Sequence, residues 1–181
     1  MPTFDFDFER SADYQDAVRW FDGLHDTFFR QGDNFELALE YARERWSFVS
    51  DLRKSVEDKA DGLLKVLLGA AVIVATLLKS STSSPSSWWL LPAGLAVVAM
   101  CMCLAARHTG KIPEPCSLRG LLPLHQNHPD AGIRQAQLAA SYYVNTVAMK
   151  DIVNNKSSWL DTGLRFAVAA GISVVVIAVV A

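Results

Sequence analysis

Three apolar stretches, separated by segments dense in charge, constrain this chain more than any other feature of its sequence. They occupy residues 63–79, 88–106 and 163–181. A helix needs roughly 20 apolar residues to cross about 30 Å of hydrocarbon. A soluble chain of 181 residues would have too little polar surface to cover three such helices. We therefore predict an all-α membrane protein with three transmembrane helices.

The first stretch is the weakest of the three, because it is the shortest and contains Lys65. Lys65 and Lys79 lie near its two ends, where long side chains can reach the lipid headgroups at modest cost. For the apolar stretches as a whole, the alternative interpretation is a wholly buried helical hairpin in a soluble protein.

The charges between the stretches indicate their orientation. The link 80–87 has no charge, whereas 107–162 carries six Lys and Arg residues. The positive-inside rule places the basic segment in the cytosol. We therefore expect residues 1–62 in the cytosol, the short link outside, and a C-terminus at or beyond the outer surface.

The cytosolic head, residues 1–62, is acidic, with eight Lys and Arg against fifteen Asp and Glu, a net charge of −7. Phosphate binding requires a basic surface. Direct binding to nucleic acid is therefore not expected.

Long helices are predicted to lead into two of the spans. Residues 11–30 have the pattern of an amphipathic helix. From Asn34 a single helix is expected to continue through the first span, and another from Ala131 through the third. A heptad seam supports the first of these, with Arg53 in the one position that lacks an apolar residue. Its members are Leu39, Ala42, Trp46, Val49, Val56, Ala60, Leu63, Leu67 and Ala70. We expect these coiled-coil-like extensions to form a bundle.

Charged residues beside the spans are the candidate functional residues. They can form an ion-pair ring or gate, although headgroup anchors have the same sequence pattern. The candidates are Asp58, Lys59, Asp61, Lys65, Lys156, Asp161 and Arg165.

No pattern indicates catalysis, since there is no glycine-rich phosphate loop, nucleophile with a base, or paired-carboxylate site. We expect no enzyme activity and no cofactor. His108, His125, His128, Cys116 and Asp130 could in principle hold a metal, but a proline-bounded loop gives them no fixed register. Ordinary solvated histidines are the preferred interpretation, so no metal is expected.

Short motifs at the two span entries resemble a family of small bacterial membrane effectors, the SLATT-type and Pycsar-type transmembrane effectors of anti-phage defence. The similarity covers about Phe35 to Ala181. The motifs are Trp46-Ser47-Phe48-Val49, Asp58-Lys59-Ala60 with Leu63-Leu64, Ala140-Ser141-Tyr142, and Lys156 with Trp159-Leu160.

The resemblance implies an effector of the bacterial inner membrane, encoded beside a sensor or a nucleotide-producing enzyme. On activation it would oligomerise or open and compromise the membrane, causing abortive infection. The chain departs from the simplest two-span version by its third span, and it has no separate nucleotide-binding domain. A cyclic nucleotide would act as the activating ligand only if the cytosolic helices themselves provide its site.

The expected function is therefore that of a membrane-disrupting, pore-forming effector that works as a homo-oligomer in the lipid bilayer. Three spans of one chain enclose no channel. Small residues in the first and third spans allow close helix approach between copies. The alternative is a scaffold that forms no pore and anchors a cytosolic partner through the helical head.

Overall fold

The computed structural model describes residues 35–80, 87–108, 112–113 and 131–180, with the backbone alone at 77–80, 87 and 180. It also describes five residues of the N-terminal segment, which are helical and exposed: Ala12, Asp13, Gln15, Asp16 and Arg19. The remainder of the predicted helix 11–30, with its apolar stripe, lies outside the described residues, as does most of the loop 109–130. All described elements are helices, which confirms the all-α prediction.

From residue 35 onward, the described residues form two long helices and a short one. Helix α1 is Glu36–Ser80, a 3-10 turn covers Ser87–Trp89, α2 is Leu90–Arg107, and α3 is Ala131–Val180. Each long helix continues without a break from a polar segment into an apolar one, as the sequence predicted.

Local chemistry accounts for where these helices begin and end. The backbone N–H of Phe35 donates to Oε1 of Gln135 at 3.2 Å, which satisfies a donor at the start of α1. In α2, Pro92 lies in the first turn, where its missing N–H breaks no helical hydrogen bond. His108 leaves the helical conformation, and its N–H closes the last turn on the carbonyl of Leu104.

Burial along α1 follows the predicted heptad seam closely. Leu39, Ala60 and Leu67 are buried. The other seam positions before Leu67 are half-buried, namely Ala42, Trp46, Val49, Arg53, Val56 and Leu63. The prediction is wrong at Ala70, which is exposed. A straight α-helix drifts about 20° per heptad from a strict 3.5-residue repeat, so a seam four heptads long rotates out of the interface.

The described residues divide into two compact units. The head unit contains the described residues of 5–53 and 109–154, and the apolar unit contains those of 54–108 and 155–180. Both long helices contribute to both units.

Within the head unit, α1 and α3 run in the same direction. Phe35 bonds Gln135, and seven residues further along α3 the Tyr142 ring lies 6.0 Å from the Arg43 guanidinium. The α3 face in this unit is built from small and medium apolar residues at spacings of about four. They are Ala136, Ala140, Val144, Ala148 and Ile152. Alanines at this spacing allow close approach of a neighbouring helix.

Within the apolar unit, α1 and α3 also run in the same direction, and α2 runs against them. Glu57 pairs with Lys156, and further along both helices Leu67 clusters with Phe166. Arg107 at the end of α2 pairs with Asp61, whereas the earlier residue Ala99 packs on Leu67.

At Gly163, α3 packs tightly against α2. A Cβ built at this position would lie 3.1 Å from Met102 Cβ and 3.3 Å from the carbonyl oxygen of Ala99. Because one of these atoms is backbone, a methyl group at this position requires the two helices to move apart by a few tenths of an ångström. At Gly171 on the same helix, nothing lies within 4 Å of the equivalent position.

Two helices are long and apolar enough to cross a membrane, over the residues the structure describes: Leu90–Arg107 and Ala131–Val179. The predicted first span within α1 is not among them, and the side chains at its end, 77–79, lie outside that description. Two of the three predicted spans therefore have the required length and composition.

Substituting Gly163 tests the close approach. We expect Gly163→Ala to destabilise the folded protein by about 1–3 kcal/mol, because the new methyl overpacks the α2–α3 contact. Thermal unfolding in detergent, followed by circular dichroism, measures the change. The matched control is Gly171→Ala, which should leave stability unchanged or raise it slightly through helix propensity. Equal effects of the two substitutions would contradict the contact.

Candidate functional site

A buried ion pair joins α1 to α3 where the apolar stretches begin. The Lys156 Nζ lies 2.5 Å from the Glu57 Oε1 and donates to it. Only 6% of the Lys156 side chain is exposed, and 20% of the Glu57 side chain. Lysines are almost never buried to this extent unless they are paired, so the two helices are tied together by this contact.

Loss of one partner would leave the other charge unpaired and incompletely solvated. Breaking a buried pair in this way costs about 3–5 kcal/mol in proteins. Replacing both charges by apolar groups of similar volume is often close to neutral. The pair therefore adds little stability over an apolar contact, but it makes separation of α1 from α3 at this level costly.

A second ion pair ties α1 to α2 one turn further on. The Arg107 Nε lies 3.1 Å from the Asp61 Oδ1, and both side chains are partly exposed. A third pair, Arg165 to Asp161 at 2.8 Å, lies along α3 and is largely exposed. Exposed pairs of this kind contribute little to stability. We call the residues of the first two pairs, Glu57, Lys156, Asp61 and Arg107, the charged layer.

Four of the seven candidate residues from the sequence take part in these ion pairs. Lys156 and Asp61 hold α1 to its neighbours, and Asp161 and Arg165 pair with each other along one helix. The other three, Asp58, Lys59 and Lys65, are exposed.

Sequence reasoning missed Glu57 and Arg107. A signal for Glu57 was present, because it directly follows the seam residue Val56, and positions that flank a seam form interhelical ion pairs. The predicted candidate Asp58 is one position further from the seam and is exposed. The partner of Arg107 depends on how α2 packs against α1, and no local pattern gives that.

Beyond the charged layer, all three helices expose large apolar side chains. On α1 these include Val66, Val72 and Ile73, each more than 60% exposed. On α2 and α3, large apolar side chains that are more than half exposed are Leu90, Leu91, Val97, Val168, Ile172 and Val175. Only 28% of the apolar window in α2 and 11% of that in α3 is buried. The core helices of a soluble protein would bury most of these side chains.

The head unit contains an open groove between α1 and α3, with a volume of about 500 Å³. Four of its lining side chains are large, apolar and exposed: Tyr41, Phe48, Leu52 and Tyr143. Arg45 and Lys150 are the charged groups among the described lining residues. The remaining lining residues are Ala42, Val49, Thr146, Val147, Val153 and Asn154. The groove therefore combines apolar surface with positive charge.

No family model matches the chain, and comparisons with curated proteins and with solved structures find no match either.

No group of three or more His, Cys, Asp and Glu side chains suited to a metal ion occurs among the described residues. His108 is described and exposed. His125, His128, Cys116 and Asp130, the other members of the group considered from the sequence, lie outside the described residues.

The Glu57–Lys156 pair can be tested by removing one charge and then both. We expect Lys156→Met to destabilise the protein by about 3–5 kcal/mol, because it leaves the Glu57 carboxylate poorly solvated and unpaired. The double variant Glu57→Leu with Lys156→Met should recover most of that loss. Unfolding in detergent, followed by circular dichroism, provides the measurement.

The control for this test is Arg165→Gln, which removes a charge from the largely exposed pair and should cost less than about 1 kcal/mol. A Lys156→Met effect no larger than the Arg165→Gln effect would show that the buried pair does not hold the helices together. If Lys156→Met fails to fold, the double variant still distinguishes the outcomes, since it should fold.

Proposed function

We propose that the protein is a membrane effector whose three apolar helices cross a bilayer and, on activation, assemble with those of other copies to permeabilise it. The observation that carries this proposal is the set of outward-facing apolar side chains on three helices that already pack against one another. Lipid is the environment in which such a surface is stable, because hydrocarbon tails are as apolar as the side chains that contact them.

The proposed topology has three spans. Residues 63–79, 88–106 and 163–181 cross the membrane, residues 1–62 and 107–162 are cytosolic, and the link 80–87 lies outside. Parallel α1 and α3 with an opposed α2, as found in the apolar unit, fit this arrangement. The charged layer then lies at the cytosolic end of the spans, where Arg107 also complements the C-terminal dipole of α2.

In this proposal the charged layer holds the resting arrangement. The Glu57–Lys156 pair joins α1 to α3, and the Asp61–Arg107 pair joins α1 to α2 one helical turn away. For α1 to move outward and join other copies, the Lys156 ammonium must leave its carboxylate partner. That cost keeps the protein closed until a signal at the cytosolic helices offsets it.

Assembly of several copies follows from the number of spans, because three helices of one chain enclose no channel. Gly69 and Gly171 are exposed on α1 and α3, with open space where a side chain would lie. Ala70 and Ala71 extend the small surface of α1. Small residues of this kind allow helices of neighbouring copies to approach closely in lipid.

The biological role that we propose is abortive infection in anti-phage defence, at the bacterial inner membrane. It rests on the resemblance of the two span entries to SLATT-type and Pycsar-type effectors. A sensor, or an enzyme that produces a nucleotide signal, would activate the protein through its cytosolic helices.

Charge reversal tests the closing role of the charged layer. We expect Lys156→Glu, reconstituted into liposomes, to release an entrapped dye faster than the unmodified protein, since two carboxylates repel each other where a pair existed. The open fraction rises about tenfold for each 1.4 kcal/mol of closure that is lost. Combining Lys156→Glu with Glu57→Lys should return leakage toward the original level.

Arg165→Glu, which reverses a largely exposed charge, is the control and should leave dye release unchanged. If Lys156→Glu and the swapped pair both leave liposomes intact, and cells that express them keep their membrane potential, the pore proposal is wrong.

Labelling of single cysteines distinguishes three spans from two. With Cys101, Cys103 and Cys116 replaced by serine, we expect a cysteine at Ser84 to react with a membrane-impermeant maleimide in intact cells, and a cysteine at Ala12 to react only after lysis. If α1 does not cross the membrane, residue 84 stays on the same side as residue 12, and neither reacts before lysis.

A scaffold that forms no pore is the second candidate function, and the open groove in the head unit favours it. Overexpression distinguishes the two. Loss of membrane integrity supports the effector, whereas harmless accumulation in the membrane supports the scaffold.

A further inference from the structure

The groove of the head unit has the side-chain spacing of a surface that receives a helix. On α1 the lining residues Tyr41, Arg45, Phe48 and Leu52 follow steps of four, three and four. On α3, Tyr143, Val147, Lys150 and Asn154 follow the same steps. Two parallel helices with this spacing form successive holes for the side chains of a third helix. From residue 41 to residue 52 the groove is about 16 Å long at 1.5 Å per residue, or three helical turns.

Exposure of the groove indicates that it is a contact surface. Tyr41, Phe48 and Tyr143 are each more than half exposed, and Leu52 is 42% exposed. Contiguous apolar patches of this kind on the part of a protein that faces water commonly mark interaction sites. Aromatic side chains are also enriched at the energetic centres of protein interfaces.

Charge identifies the kind of helix that fits. The described lining residues include two cations, one on each helix, and no carboxylate. The Arg45 guanidinium lies 5.8 Å from the centre of the Tyr41 ring, at the edge of the apolar surface. A helix with carboxylates on both flanks would pair with Arg45 on one side and Lys150 on the other, and opposite charges across an interface also speed association.

The same charges argue against a second copy of this chain as the occupant, a step that rests on the proposed membrane topology. Two copies in one membrane have parallel helices. Pairing their grooves face to face would bring Arg45 and Lys150 to the same depth as Arg45 and Lys150 of the other copy. Like charges that meet across an interface cost several kcal/mol.

We propose that this groove binds an amphipathic helix of a partner protein, with apolar residues at alternating spacings of three and four and with acidic residues on both flanks. Binding there would place the partner helix against both α1 and α3 in the head unit. The cytosolic signal would then act directly on α1 and α3, the two helices that continue into the proposed spans.

Two designed peptides of three heptads each provide the probe. Both have leucine at the seam positions, and the flanking positions are glutamate in one and lysine in the other. We expect the full-length protein in detergent to bind the glutamate peptide at least tenfold more tightly, as measured by fluorescence anisotropy. The double variant Arg45→Glu with Lys150→Glu should reverse the preference, and Phe48→Ser should weaken binding of both peptides.

The control is Arg43→Glu, which makes the same charge change as Arg45→Glu at a position on α1 outside the described groove lining and should keep the original preference. Equal binding of the two peptides, or the same response to Arg43→Glu as to the double variant, would overturn the proposal. So would conversion of a purified oligomer to a monomer by Phe48→Ser in analytical ultracentrifugation, since that would place a second copy in the groove.

Failure of this proposal can be distinguished from failure of the proposed function. Peptide binding is measured without a bilayer, whereas the function is measured as dye release caused by Lys156→Glu. If Lys156→Glu causes dye release as expected but the protein shows no preference between the peptides, the proposed effector function stands and the proposed docking site is wrong.

Discussion

The arrangement of the apolar unit depends on a lysine ammonium held between two helices. Lys156 is almost fully buried and forms an ion pair with Glu57. If α1 and α3 separate at this position, each of the two charges loses its partner. Gly163 lies two turns further along α3 and allows α2 to approach closely. The ion pair and the glycine are therefore two contacts that position the three helices against one another. The large apolar side chains that are not buried between the helices face outward.

Much of this fold can be predicted from the sequence, because it depends on patterns along single helices. The absence of proline and the apolar periodicity after Asn34 predicted a continuous α1, and the seam predicted its buried face as far as Leu67. Contacts between helices were harder to predict. Glu57 and Asp58 are neighbours in sequence, and which of them meets Lys156 depends on the direction in which α3 lies. The Arg107–Asp61 pair depends on the packing of α2, which no local pattern encodes.

The exposed apolar side chains of the two units have different surroundings. In the apolar unit, large side chains such as Val72 and Ile172 face outward, which suits hydrocarbon. In the head unit, Tyr41, Phe48 and Tyr143 are also exposed, but Arg45 and Lys150 stand among them. A cation beside an exposed aromatic suits an aqueous interface with an acidic partner. The groove was not visible in the sequence, because its lining comes from segments about one hundred residues apart.

The continuity of α1 has a consequence for insertions and deletions. Each residue advances an α-helix by about 100°, so the alternating steps of three and four keep successive seam residues near one rotational phase, with a drift of about 20° per heptad. One extra residue near Arg53 would turn one end of the seam a quarter-turn or more away from the other, whereas seven extra residues would nearly restore the phase. Along this helix, length is therefore tolerated in heptads and not in single residues.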